Sequence, residues 1–320
     1  MARAATARGT PLSAFTSRSS SSTPMLRIRS GSQSTPCGRA GLARASRRAI
    51  GRLQTMCRLF GYVSDRPTAV VDELGPEGFR DFTALARVHN DGWGMAWLDE
   101  AGWTRTARSP ASADDDPEYA RLAARPLGAA GFVHLRWATG GLAVGLQNTH
   151  PFADGPFAFA HNGHIAPIDR LEGMLTTASR ARLAGTTDSE RYFRLVVQCI
   201  EQEGDEARGV TLALRMLMRE FPNSSLNALL LTSRHLFAVH VNSRADSPRA
   251  GLRALFESPD AIPFRHENEY YAMDYRVTDT CVQVISSGLN APGWSPVPAD
   301  SAAMIDVATR EITRLELLPV

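Results

Sequence analysis

The sequence predicts an α+β protein in which sheets built from many short strands are covered by helices. Three observations carry this prediction. Short apolar segments with strand character recur along most of the chain, and the two clearest helical patterns lie next to each other, over residues 188–203 and 207–220. Patterned sequence also begins abruptly after residue 55. Many strands with a few grouped helices favour layered sheets with helices packed on them.

Taken in order, the elements follow from local patterns. Apolar runs predict strands, and helical periodicity predicts helices. Thr187-x-x-Glu190 is a capping-box pattern at the start of a helix, and Asn162-Gly163 is a turn-forming pair at the end of a strand. The predicted strands are 57–63, 93–98, 131–137, 157–161, 226–232, 236–241, 270–273, 281–287 and 312–317, and the predicted helices are 76–89, 116–127, 188–203 and 207–220.

Residues 1–55 differ from the rest of the 320-residue chain. They hold ten Arg and neither Asp nor Glu, and they are rich in Ser without apolar periodicity. Such a segment buries too little surface to offset its ordering entropy. We therefore expect a disordered extension at 1–55 and one domain at 56–320. A start codon placed too far upstream, a transit peptide, a processed segment and a disordered tail all remain open.

Charge and cysteine content narrow the function classes. The formal net charge is +2, but the body after residue 55 carries 25 basic and 33 acidic residues. An acidic body gives no support for nucleic-acid binding, and no apolar run is long enough to predict a membrane span. The four Cys are widely spaced, which suggests neither a zinc knuckle nor a disulfide framework. A reducing compartment, and hence the cytoplasm, is the default expectation.

Cys57 directly follows Met56, a possible initiator. If that Met is removed, Cys57 carries a thiol and a free α-amine on one residue. An α-amine has an unperturbed pKa of about 7.7–8.0 and can activate the thiol without a His partner. The alternative is a Cys that packs in the core of an apolar strand.

Three further positions suggest acyl-transfer chemistry. The Asn162 amide and the Gly163 N–H are suitable donors to an oxyanion, although the pair could be a hairpin turn. Arg136, between apolar neighbours, should be partly buried and should need an anion, which could be a substrate carboxylate or an internal partner. Asp188, at a helix start, could bind an ammonium group or be a helix cap.

Several other residues are interpreted as structural. Cys199 lies on a helix face with apolar neighbours, and Cys281 begins a Val/Ile strand, so both are expected in the core. His161-x-x-His164 could suggest a metal site, but no carboxylate motif accompanies it. We therefore predict no metal and no organic cofactor.

No fragment is specific alone, but their order along the chain is. The set resembles the class II glutamine amidotransferases, which have the N-terminal-nucleophile hydrolase fold, and the resemblance covers residues 56 to about 195. It rests on Met56-Cys57-Arg58-Leu59-Phe60-Gly61, His89-Asn90-Asp91-Gly92-Trp93-Gly94, His134 to Gly141, Asn148-Thr149-His150-Pro151-Phe152, His161-Asn162-Gly163-His164 and Thr187-Asp188-Ser189-Glu190.

The resemblance implies a fold and a set of roles. The fold would be a four-layer αββα sandwich, with two antiparallel sheets between helical layers. Cys57 would be the nucleophile with its α-amine as base, and Asn162 and Gly163 would form the oxyanion hole. Three residues would bind the γ-glutamyl group: Arg136 its α-carboxylate, Asp188 its α-ammonium, and Thr139 the wall of the same pocket. The Asp91-Gly92-Trp93-Gly94 segment would be a structural loop under the site.

The implied reaction is cleavage of the side-chain amide of glutamine, or of a γ-glutamyl amide, through a thioester. Larger family members carry a synthase domain that consumes the ammonia, so a separate ammonia-accepting partner subunit is one possibility here. The segments Cys57-Arg58, Phe152-Ala153-Asp154-Gly155 and His161-Asn162-Gly163 also look similar to the γ-glutamyl hydrolase of ergothioneine biosynthesis. A third alternative is a non-catalytic protein that keeps the fold for binding.

Overall fold

The computed structural model describes residues 57–137, 144–256, 258, 261–290 and 292–317. Within these ranges the chain forms thirteen strands and seven α-helices. The strands are β1 (Arg58–Thr68), β2 (Trp93–Leu98), β3 (Thr104–Ser109), β4 (Gly128–Leu135), β5 (Phe152–Asp154), β6 (Phe157–Asn162), β7 (Asn227–Leu231), β8 (His235–His240), β9 (Met273–Val277), β10 (Cys281–Ser286), β11 (Ser295–Pro296), β12 (Ser301–Asp306) and β13 (Ile312–Leu315). The helices are α1 (Val70–Ala84), α2 (Pro117–Ala123), α3 (Ile168–Gly173), α4 (Thr177–Ala181), α5 (Asp188–Glu203), α6 (Glu206–Glu220) and α7 (Arg249–Leu255).

The strands form two antiparallel sheets. The first has seven strands in the order β11-β9-β10-β1-β4-β2-β3, and the second has six in the order β13-β12-β8-β7-β6-β5. β1 is the central strand of the first sheet and pairs with β10 and β4. β6 pairs with β7 in the second sheet. The candidate site lies where the start of β1 meets the end of β6.

Alternation along the strands places the first core between the two sheets. Leu59 and Val63 of β1 point to the same face and pack in one buried cluster with Leu229 and Leu231 of β7. The sheets approach closely here, because a Cβ on Gly61 would lie 2.9 Å from Leu229 Cδ1. The inter-sheet layer is therefore apolar and tightly packed.

The outer faces of both sheets are covered by helices. Phe60 of β1 packs in a second cluster with Phe82 of α1 and Leu122 of α2. Phe159 of β6 contacts Tyr192 of α5 at a ring-centroid distance of 4.9 Å, within the cluster that also holds α6. The order of layers is helix, sheet, sheet, helix. The predicted αββα sandwich is confirmed.

The first helix begins earlier than the sequence predicted. It spans Val70–Ala84, with a kink at Gly75 (φ 73°), and a 3₁₀ turn continues to Arg87. The predicted start, residue 76, is the first residue after the kink. Pro76 has no N–H to donate and is therefore accommodated at the start of the second half.

Other boundaries also differ from the predictions. The helix predicted at 116–127 ends at Ala123, since Pro126 disfavours helical backbone at the preceding residue. The strand predicted at 270–273 is wrong: β9 begins at Met273, and Tyr270 and Tyr271 pack on Leu252 of α7. Four strands, β3, β5, β11 and β12, and the short helices α3, α4 and α7 were not predicted.

The capping box of α5 is only half formed. Thr187 is the N-cap, and its hydroxyl accepts the Glu190 N–H at 3.2 Å. The Glu190 carboxylate does not return to the Thr187 backbone. It accepts instead from the N–H groups of Ala184 and Gly185, at 2.7 and 2.8 Å, which fixes the loop that leads into the helix. Among the described residues, no helix is long and apolar enough to cross a membrane.

Candidate active site

Cys57 lies just before β1, where the central strand of the first sheet meets the end of β6 in the second. Its side chain is buried, and its backbone nitrogen donates to Asn162 Oδ1 at 3.0 Å. This bond joins residues 105 positions apart in the sequence. Cys57 is not a member of the apolar clusters among the described residues, and the charged groups Arg136, Arg58 and Asp188 act on its thiol.

Burial dominates the electrostatics of the Cys57 thiol. Loss of hydration raises its pKa from 9.0 to about 11. A backbone hydrogen bond from Trp137 and the positive charges of Arg136 and Arg58 act in the opposite direction, and Asp188 adds to the rise. The resting group is therefore a neutral thiol at neutral pH, and it needs a base before it can attack.

Asn162 offers a hydrogen-bond donor to this site. Its oxygen faces the Cys57 N–H, which is a donor, so the other side-chain atom must be the NH₂ group. That nitrogen, Nδ2, is buried and has no partner among the residues described here. An unsatisfied buried donor costs free energy. The Nδ2 group is therefore available to donate to an oxygen that enters the site.

Hydrogen bonds that involve Ser225, just before β7, and Ser189 of α5 hold the backbone around Asn162 and Gly163. Ser225 Oγ donates to the Asn162 carbonyl at 2.9 Å. His161 Nε2 donates to the Ser225 carbonyl, and its Nδ1 accepts from the Ser189 hydroxyl, both at 2.9 Å. Both ring nitrogens of His161 are thus engaged. A Cβ on Gly163 would lie 1.9 Å from Ser225 O, so only glycine fits.

Asn162-Gly163 is not a hairpin turn. Of the two strands paired with β6, β5 precedes it, and β7, which follows it, begins only at Asn227, more than sixty residues later. The turn interpretation of this pair is wrong. The segment after Gly163 leads instead into the loop before α3.

Arg136 is a buried guanidinium, located one residue after the end of β4. Burial lowers its pKa, while the nearby Cys57 and Asp91 groups raise it. Its Nη1 donates to the Asp91 carbonyl at 3.1 Å, and the described residues place no carboxylate within 4.0 Å in an ion pair with it. An internal ion pair, the alternative for Arg136, is therefore not found there.

The segment 91–94 supports Arg136 directly. Asp91 N–H donates to the Arg136 carbonyl at 3.0 Å, and Arg136 N–H donates to the Gly92 carbonyl at 2.8 Å. Gly92 has φ 134°, and a Cβ there would lie 2.7 Å from Ser109 O. This geometry requires glycine. The segment holds the arginine in place, as expected of a structural loop.

Asp188 is the first residue of α5, and it is not the cap. Its Oδ2 accepts from the Ile165 N–H at 2.7 Å and lies 3.5 Å from His164 Nδ1. Burial would raise the pKa of this carboxyl, but His164, His161 and the Ile165 N–H outweigh it and lower the pKa. The same contact raises the pKa of His164. Asp188 is thus an ionised carboxylate, near enough to influence the Cys57 thiol.

Five of the six predicted site residues lie in the described ranges. Cys57, Asn162, Gly163, Arg136 and Asp188 all lie at one end of the sandwich. Thr139 falls in 138–143, outside the described residues. Within those residues, no group of three or more His, Cys, Asp or Glu could hold a metal ion.

Sequence reasoning missed several residues that support the site. Ser225 acts through two hydrogen bonds, to Asn162 and from His161, and Ile165 acts through one, to Asp188; neither residue belongs to a motif. Arg58 and His134 do lie in the quoted motifs. Both are fully buried, and burial lowers the His134 pKa to about 3. The sequence did offer one indication for Arg58, because an arginine at the start of an apolar strand is unusual.

The fold, two antiparallel sheets between helical layers, is similar to that of solved class-II amidotransferase domains. The architecture is similar to a class-II glutamine aminotransferase domain protein from Silicibacter pomeroyi, with a TM-score of 0.52 and 19% identity over 82% of this chain and 100% of that one. It is also similar to the glutamine phosphoribosylpyrophosphate amidotransferase of B. subtilis, solved with ADP and GMP. There the TM-score is 0.50 and the identity 14%, over 82% of this chain and 50% of that one.

The chain belongs to the class-II glutamine amidotransferases. Residues 56–266 match the model of this family. A Haemophilus influenzae protein described as a "Putative glutamine amidotransferase" is 31% identical over 146 residues, which are 44% of this chain and 47% of that protein. The match therefore spans about half of the relative's length.

Proposed function

We propose that this protein is a hydrolase that cleaves the side-chain amide of glutamine, or of a γ-glutamyl amide, with Cys57 as its nucleophile. One observation carries the proposal. The buried Nδ2 of Asn162 has no partner among the described residues, and the Asn162 Oδ1 is bonded to the nucleophile's own nitrogen. A preorganised donor beside a buried thiol is what stabilisation of an acyl-transfer oxyanion requires.

Two charged groups suit the α-substituents of the substrate. Arg136, buried and without an ion-pair partner in the described ranges, is proposed to bind the α-carboxylate. Asp188, whose lowered pKa keeps it ionised, is proposed to bind the α-ammonium. A γ-glutamyl group held at both charges would present its amide carbonyl to Cys57. Thr139 is proposed to line the same pocket.

The proposed reaction proceeds in two acyl-transfer steps. The Cys57 sulfur bonds to the amide carbon, and the tetrahedral oxyanion accepts from Asn162 Nδ2 and the Gly163 N–H. The C–N bond then breaks, and the leaving ammonia or amine takes the proton that the thiol gave up. Water attacks the γ-glutamyl thioester, the C–S bond breaks, and glutamate and the thiol are released.

The base in this scheme is the α-nitrogen of Cys57. This nitrogen is hydrogen-bonded to Asn162 Oδ1. Once the nitrogen is a free amine, that hydrogen bond favours the protonated form of the amine. An amide nitrogen cannot take up a proton near neutral pH, so the active form must begin at Cys57. Residues 1–55 and Met56 are accordingly proposed to be absent from the active form, so that the domain predicted at 56–320 begins with Cys57 once Met56 is removed.

The test is release of glutamate by protein that begins at Cys57. Glutamine and a panel of γ-glutamyl amides, including amides of thiol compounds, should be compared as substrates. We expect release with at least one of them and none from Cys57→Ala. Cys57→Ser should fold but lose most activity, because a hydroxyl is the poorer nucleophile. Wild-type rates from the Cys57→Ala protein would refute the mechanism.

The destination of the ammonia is a second proposal. A partner subunit that accepts it would increase the rate or the coupling of glutamate release when both proteins are present. The panel also distinguishes the classes of function, since a binding protein that has kept only the fold would release glutamate from none of the amides.

A further inference from the structure

Directly behind the candidate nucleophile lies an arginine that the proposed reaction does not use. Arg58 is fully buried on β1. Successive strand residues point to opposite faces, so its side chain leaves the sheet on the face opposite Cys57. There it meets the chain around Tyr270 and the end of β10.

Within the described residues, the Arg58 guanidinium contacts neutral groups only. Its Nη1 donates to the Tyr270 carbonyl at 3.2 Å, to the Ser287 carbonyl at 2.9 Å and to Ser287 Oγ at 2.8 Å. Its Cζ lies 3.9 Å from the centre of the Tyr270 ring. These contacts orient the charge and partly offset its desolvation, but none of them is an anion.

Two of the three guanidinium nitrogens remain without a partner. Nε and Nη2 of Arg58 are buried and make no hydrogen bond within the described part of the chain. No carboxylate there forms an ion pair with Arg58. A guanidinium is charged at all physiological pH values, and an uncompensated buried charge is costly. The fold therefore maintains a positive potential at the start of β1.

The charge of Arg58 acts on several titratable groups. Its field disfavours protonation of His266 and His134, and it acts on Tyr270 and Tyr271 as well as on the Cys57 thiol. Of the groups it reaches, Cys57 is the one that becomes an anion during the proposed reaction. The other charges that act on the thiol are Arg136, from the end of β4, and Asp188, from α5.

We propose that Arg58 is a positioning residue of the thiol site, whose fixed charge behind β1 stabilises the negative charge that forms on the Cys57 sulfur. Arg58 touches neither substrate nor sulfur in this proposal. It acts through the field of a charge that the Tyr270–Ser287 contacts hold in place. The inference rests on the proposed nucleophilic role of Cys57.

The test measures how the rate of Cys57 alkylation by iodoacetamide depends on pH, in the full 320-residue chain. Mass spectrometry of peptides separates Cys57 from the other cysteines. The midpoint of the profile reports formation of the thiolate, and the plateau at high pH reports access and folding. In Arg58→Met we expect the midpoint about one pH unit higher, and alkylation at pH 7 about tenfold slower, with the plateau unchanged.

Two further variants separate charge from structure. Arg58→Lys keeps a cation only below the pKa of the new ammonium group, so it is compared with wild type at pH 7–8, where its rate of Cys57 alkylation should stay within about twofold of the wild-type rate. Arg108→Met removes an arginine that is likewise held by two main-chain carbonyls, of Thr149 and Pro151, but does not act on the thiol. It should leave the midpoint unchanged.

An unchanged midpoint in folded Arg58→Met would overturn the inference. If Arg58→Met does not fold, a folded Arg58→Lys in which Cys57 is alkylated about tenfold more slowly than in wild type at pH 7–8 would overturn it as well. Glutamate release is assayed separately. A shifted midpoint in a protein that cleaves no γ-glutamyl amide would refute the proposed function but leave the charge effect of Arg58 intact.

Discussion

Substituting Asp for Asn162 tests the proposed oxyanion donor while changing few atoms. The aspartate retains an oxygen where Oδ1 accepts the Cys57 N–H at 3.0 Å. It replaces the buried Nδ2 donor, which has no partner in the described residues, with an acceptor. The hydrogen bond to the proposed nucleophile is thus kept, and the donor that carries the proposal is removed.

The expected magnitude follows from that single donor. One oxyanion-hole hydrogen bond contributes about 2.7–4 kcal/mol to the transition state, which corresponds to about 10²–10³ in kcat. The new carboxylate also opposes charge on the sulfur, so the loss in Asn162→Asp should be at least about 100-fold. The donor acts on charge that develops only in the transition state, so KM should change little.

The assay is steady-state glutamate release by protein that begins at Cys57, with Asn227→Ala as control. Asn227 lies opposite Asn162 on β7 and is equally buried, but its amide donates to the Tyr271 carbonyl at 2.6 Å. Loss of that bond should lower the free energy of unfolding by about 1–3 kcal/mol and reduce kcat far less. A folded Asn162→Asp protein with kcat within tenfold of wild type would refute the oxyanion assignment.

Three other outcomes are expected. Arg136→Met should weaken binding of γ-glutamyl substrates by about 2–5 kcal/mol, seen as a raised KM; an equal loss for an amide that lacks the α-carboxylate would contradict this role. Protein in which Met56 is still bonded to Cys57 should release no glutamate, which N-terminal sequencing and assays of both forms would check. Burial lowers the pKa values of His134 and His150 in the folded state, so the unfolded state binds more protons below its pKa of about 6.5. Each histidine should therefore cost about 1.4 kcal/mol of stability per pH unit as the pH falls, and urea unfolding at pH 7 and pH 5 that gives equal free energies would disprove this.

Sequence patterns predicted the parts of the fold whose local and tertiary preferences agree. The 188–203 helix is found with those bounds because an N-cap, a long amphipathic face and a C-terminal glycine all favour it. β12 was missed because Ser301–Asp306 has little strand character of its own. It becomes a strand by pairing with β8 on one side and β13 on the other. Pairing partners distant in sequence are invisible to a local pattern.

The site was predictable where a motif carries the chemistry. Cys57 and Asn162 were chosen from separate fragments, and the structure brings their atoms to 3.0 Å. The details that decide reactivity were not predictable. Among the described residues, Nδ2 of Asn162 has no partner and Arg58 has no anion beside it, and both facts depend on how many acceptors the fold places nearby. A residue type alone does not specify its surroundings.

The burial of the site bears on which group could accept the proton of the Cys57 thiol. Burial raises the Cys57 pKa to about 11 and lowers that of His134, on the strand paired with β1, to about 3. Proton transfer between them would span about eight pKa units, or about 11 kcal/mol, at 1.36 kcal/mol per unit. An α-amine of pKa about 8 reduces the gap to about three units, or about 4 kcal/mol. Burial thus makes His134 an unsuitable base, whereas an α-amine on the proposed nucleophile faces a much smaller pKa gap.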